Sequence, residues 1–177
     1  MQPLQKRSMV VRRLLLLAGL SWAFPARAQA PVAPGLMDFA SNALARLIET
    51  ARERAIADGV KPIPPSVYRG LLGYFPAWLL QKVRYASGRY NGALTLPSLA
   101  FSYGDTAAIT LGDVVLFRNE TLAQNDLKLW AHELTHVMQY QRWGIDGFAG
   151  RYVSDRAGVE QEANDNAAKF EKWRNAA

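Results

Sequence analysis

Between residues 35 and 58 the apolar side chains recur at intervals of three and four: Leu36, Phe39, Ala40, Ala43, Leu44, Leu47, Ile48, Ala51 and Ala55. Arg46, Glu49, Arg52 and Glu53 fill the opposite side. This period predicts an amphipathic helix over 35–58 whose apolar stripe is core, closed by Asp58-Gly59. "VKPIPPS" then reads as a stiff connector, since proline fixes φ and cannot continue a helix. "VYRGLLGYFPAWLLQKVRY" is apolar and aromatic but broken by Gly70, Gly73 and Pro76, which predicts two short helical pieces and the start of a strand. In "LAFSYGDTAAITLGDVVLFRN" β-branched and aromatic residues are divided by turn pairs at Gly104-Asp105 and Gly112-Asp113, the pattern of a small antiparallel sheet.

Helical spacing returns after the sheet. Thr121 with Gln124 three residues on suggests a capping box, Leu127, Trp130, Leu134, Val137 and Met138 form a stripe, and Gly144 marks the end. "GIDGFAGRYVSDRA" reads as a link to a further helix, "GVEQEANDNAAKFEKW", with Val159, Ala163, Ala167 and Phe170 turned inward. The whole order predicts an α+β fold, mostly helical, with a small antiparallel sheet before the histidine-bearing helix. No internal repeat or second domain is visible.

The chain has 177 residues, a formal net charge of +6 and a pI near 9.8, which at face value points to nucleic acid. The excess is local. Lys6, Arg7, Arg12, Arg13 and Arg27 lie within the first 28 residues, which hold no acid. With them stands the apolar run "LLLLAGLSWAF", too short for the roughly 20 residues of a membrane span. The segment ends in Ala26-Arg27-Ala28, so residues 1–28 read as a cleaved secretory signal and 29–177 as the mature domain. Without the segment, 16 Lys plus Arg face 15 Asp plus Glu, and the case for a nucleic-acid partner disappears. The expected location is exported, periplasmic or secreted, with no membrane span after cleavage. Cysteine is absent, so the mature chain must rely on packing, a metal ion or both.

The chemistry is concentrated in "LWAHELTHVMQY", which holds both histidines of the chain. Four residues apart on a helix, His132 and His136 project from one face within reach of a single ion, and Glu133 stands beside the first. A catalytic zinc site needs a third protein ligand and an open fourth position. No third histidine exists, so that ligand must be a carboxylate, and the next helix offers Glu160 and Glu162. Zn2+ so held would lower the pKa of its water toward about 7, and Glu133 would act as the base. For the oxyanion the residues present are Tyr140, Tyr152 and Arg156.

The run "AITLGDVVLFRN" leading into "LWAHELTHVMQYQRWG", followed by "VEQEANDNA", resembles the small metallopeptidase-type domain associated with extracellular contractile injection systems, related to the minimal gluzincins. The resemblance covers about residues 98–173. It implies a zincin-like fold, zinc, a peptide or protein substrate, and Glu160 as the third ligand. Asn164 stands where that family usually has Asp, in the position of a partner that orients a ligand. The expected function is an exported zinc-dependent metallopeptidase. A catalytically inactive zinc-stabilised binding or structural module in the cell envelope is the alternative.

Overall fold

The computed structural model describes residues 34–88 and 106–176. The expected signal segment 1–28 and the Gly104-Asp105 turn lie outside the described residues. Helix α1 spans Pro34–Asp58, and Gly59 closes it in a left-handed conformation (φ 104°) that returns its N–H to the carbonyls of Ala55 and Ile56. Strand β1 (Lys61–Pro62) leads into α2 (Pro65–Leu71), which starts on proline, where a missing N–H costs nothing. Helix α3 (Ala77–Lys82) follows Pro76, and β2 is Arg84–Ser87. Strands β3 (Ala108–Leu111) and β4 (Val114–Phe117) form a hairpin around Gly112-Asp113, with Gly112 at φ 67°.

The sheet is mixed, not antiparallel. Its order is β1-β2-β4-β3, and β2 runs parallel to β4 with Arg84 opposite Val114 and Ser87 opposite Phe117. Turn chemistry announces the hairpin; the parallel pairing joins segments far apart in the chain and leaves no local signal. All four residues of β4 are buried. Val115 and Phe117 enter one core with α2, α3 and Trp130, whereas Val114 and Leu116 enter a second with Ile48, Tyr140 and Phe148. A central strand covered on both faces explains the unbroken apolar run VVLF.

Three further expectations are corrected. The helix predicted from Thr121 is two: α4 (Glu120–Asn125), capped by the Asn119 side chain on the N–H of Leu122, and α5 (Leu127–Ala176), capped by Asp126 on the N–H of Leu129. Gln124 instead donates to Glu120 and to the Tyr85 hydroxyl. The link 144–157 is largely helical. Helix α5 breaks only at Gly144 (φ 70°) and Asp155 (φ −147°, ψ 62°), so three helical segments, 127–143, 145–154 and 156–176, turn back on one another. Helix α1 also buries less than its stripe implied: Ile48 and Ala55 are core, but Leu36, Phe39 and Leu47 are exposed. It docks through its C-terminal half, where Arg52 meets Asp113 of the hairpin at 2.7 Å.

Candidate metal centre

The turn at Gly144 and the cap at Asp155 reverse α5 so that its last segment runs beside its first. This brings Glu160 opposite the histidines. The Nε2 atoms of His132 and His136 stand 3.1 Å apart, and Glu160 Oε2 lies 3.4 Å from the first and 3.6 Å from the second. Zinc ligands at about 2.0–2.2 Å from a tetrahedral ion are separated by about 3.3–3.6 Å; both Glu160–histidine separations fall in that range and the histidine pair is slightly closer, so the three donors could share one ion. Two imidazoles and a carboxylate are also the donor set of an open, hydrolytic zinc site.

Two of the three donors, Glu160 and His136, are held from behind. Tyr152 donates its hydroxyl to Glu160 Oε1 at 2.8 Å, which leaves Oε2 facing the histidines. Hydrogen bonds from the protonated imidazoles of His132, then His136, hold the Glu160 carboxyl far below the usual carboxylate range. Burial pulls the His136 pKa down, but Glu160, Glu133 and Gln139 outweigh it and leave it raised. Tyr152 is pushed up to about 12 by burial and by its bond to Glu160. Its ring stacks on Phe148, which stacks on Tyr140 at 3.9 Å and meets His136 edge-on. Glu162 turns away, its carboxylate shared between Gln139 and Arg142.

Glu133 is buried beside the trio, and its Oε2 accepts from the Thr110 hydroxyl at 2.7 Å. Thr110 belongs to β3, so the hairpin aims this carboxylate. Tyr140 is buried and donates to the Thr110 carbonyl, whereas Arg156 lies exposed with its guanidinium over the Tyr152 ring. Asn164 lines the cleft but bonds to neither histidine, contrary to the orienting role implied by resemblance. Two residues on, across the helix from Asn164, Asn166 is the bonded asparagine, between Tyr74 and Thr135. Sequence reasoning missed Thr110 and Gln139. Gln139 stands three residues past His136 on the same helix face, and that spacing was its only signal.

The trio and Glu133 open into a cleft of about 560 Å³ walled by Leu44 and Ile48 of α1, by β3, and by α5. Among the described residues β3 is an edge strand of the sheet.

Residues 80–144 match the eCIS core domain family. The match associates the chain with extracellular contractile injection systems. It spans less than half of the chain, starts earlier than residue 98, and takes in both histidines and Glu133 but stops before Glu160. No curated protein and no solved structure matches the chain.

Proposed function

We propose that the chain is an exported zinc metallopeptidase of gluzincin type, acting on peptide or protein substrates in the setting of a contractile injection system. The observation that carries this reading is the convergence of the His132, His136 and Glu160 donors, 3.1–3.6 Å apart, in an open cleft with Glu133 beside them. A zinc ion held there supplies Lewis acidity, which makes water nucleophilic near neutral pH and polarises a carbonyl.

The chain's own residues do the rest. An extended peptide lies along the edge of β3, held by main-chain hydrogen bonds, with apolar side chains against Leu44, Ile48 and Phe148. Glu133, fixed through one oxygen by Thr110, uses the other to take a proton from the attacking water and returns it to the leaving amine. Tyr152 keeps Glu160 pointed at the histidines, and Arg156 stands at the rim where the cleft meets developing negative charge. The acid-free basic start and Ala26-Arg27-Ala28 support export.

The test is metal analysis and cleavage of an unfolded protein by the purified chain, with and without chelator. Bound zinc with chelator-sensitive cleavage is the expected result. Zinc without cleavage moves the chain to the zinc-stabilised module, and a chain that takes up no zinc removes both readings.

A further inference from the structure

Gln139 has no part in the chemistry above, yet it is completely buried against a ligand of the centre. Its Nε2 lies 3.0 Å from the Val159 carbonyl oxygen and 3.0 Å from Glu162 Oε2. A backbone carbonyl and a carboxylate only accept, so the amide nitrogen must be the atom that faces them. The reversed amide would set three acceptors against one another with no hydrogen between them, inside the protein, where unmade hydrogen bonds cost most. The amide oxygen therefore faces His136 Nδ1, at 2.8 Å. A carbonyl oxygen cannot donate, so the hydrogen in this bond is on Nδ1. In a neutral imidazole that leaves a bare lone pair on Nε2, the atom that faces His132 and Glu160. The arrangement continues to the surface, where Arg142 donates to Glu162 Oε1 at 2.7 Å and holds the carboxylate in place.

We propose that Gln139 is a positioning residue that locks His136 in the Nδ1–H tautomer and so reserves Nε2 for a metal ion, with Glu162 and Arg142 keeping the Gln139 amide the right way round. The two carboxylates that the sequence offered as rival ligands thus divide the work: Glu160 faces the ion's position, and Glu162 orients the group that orients His136. The consequence for metal affinity rests on the zinc reading; the tautomer itself is a property of the metal-free chain.

The experiment uses the full chain stripped of metal, at a pH above the histidine pKa, with the 15N shifts of the His136 ring reporting which nitrogen bears hydrogen. Zinc affinity is then read by competition with a chelator. Wild type should carry hydrogen on Nδ1; hydrogen on Nε2 in the wild type overturns the proposal outright. Gln139→Met should show a mixture of tautomers and bind zinc about 10–100-fold more weakly, the usual range for losing such an outer partner. A folded Gln139→Met chain with the wild-type tautomer and affinity would mean that Gln139 only fills space. Gln139→Glu alone places a carboxylate against the Val159 carbonyl and Glu162, and should lose more. Adding Glu162→Gln supplies N–H groups to that carboxylate and should restore the Nδ1–H tautomer, and failure to restore it in a folded double variant counts against the proposal. If the wild type shows the Nδ1–H tautomer but takes up no zinc, the metal reading falls while the tautomer lock stands.

Discussion

Glu133 and Glu160 are carboxylates of the same helix run, and their surroundings separate their roles. Glu160 receives Tyr152 on one oxygen and turns the other to two imidazoles, whereas Glu133 receives only the Thr110 hydroxyl. Glu133→Gln keeps size and the bond to Thr110 but accepts no proton. Cleavage should fall by about 10²–10⁴-fold, the usual worth of a positioned base, with zinc content unchanged. Equal turnover in variant and wild type would remove Glu133 from the mechanism. Glu160→Ala should instead come off purification with little zinc, because two histidines alone leave the ion open to water and chelator. A Glu160→Ala chain that retains stoichiometric zinc would show that the third ligand is elsewhere.

At the level of elements, the centre depends on how α1 and the hairpin fit together. Gly112 has φ 67°, and a Cβ there would come within 3.2 Å of Arg52 Cδ, in the side chain that pairs with Asp113. Gly112→Ala should therefore cost about 1–3 kcal/mol, measured as a shift in the denaturation midpoint without a change in slope. A neutral result would mean that the hairpin relaxes and α1 docks independently of it. The Gly112-Asp113 turn and the Asp58-Gly59 helix end were legible in the sequence because both rest on local backbone chemistry. The HExxH residues were legible for the same reason, since a four-residue spacing fixes a shared helix face. What escaped depends on distant partners: β2 finds β4 across the intervening chain, and Thr110 reaches Glu133 only once β3 is packed on α5. The stretch 144–157 reads as a link in the sequence, but only Gly144 and Asp155 leave helical geometry. The outward stripe of α1 was misread because periodicity gives a helix's apolar face, not how much of its length is covered.

For the whole molecule, acid and metal act on the same group of side chains. In the metal-free chain His136 has a raised pKa, so its contribution to stability is present below the ordinary value of 6.5 and lost as pH rises through the folded value. Zinc requires the unprotonated imidazole, so its effect runs the other way. The gain in melting temperature on adding zinc should grow as pH rises from mildly acid to mildly alkaline, and a gain that is flat or shrinks would place the ion away from the histidines. Glu120, on the far side of the sheet's core, gives an independent acid limb. Bonds from Ser87 and Gln124 hold its carboxyl down to about 2 from 4.5. Its contribution is full above the unfolded value and should fade as pH drops toward about 2, so Glu120→Gln should flatten the acid side of the melting profile. The donors His136 and Glu160 stand on two segments of one chain that folds back on itself, and the protein has no cysteine. An ion between them would close a loop in the unfolded-state ensemble as a covalent bridge does, worth on the order of 3 kcal/mol for a loop of this size in the chain-entropy picture. That link would be blind to redox conditions: thiol reductants would leave it closed, and a chelator alone would open it.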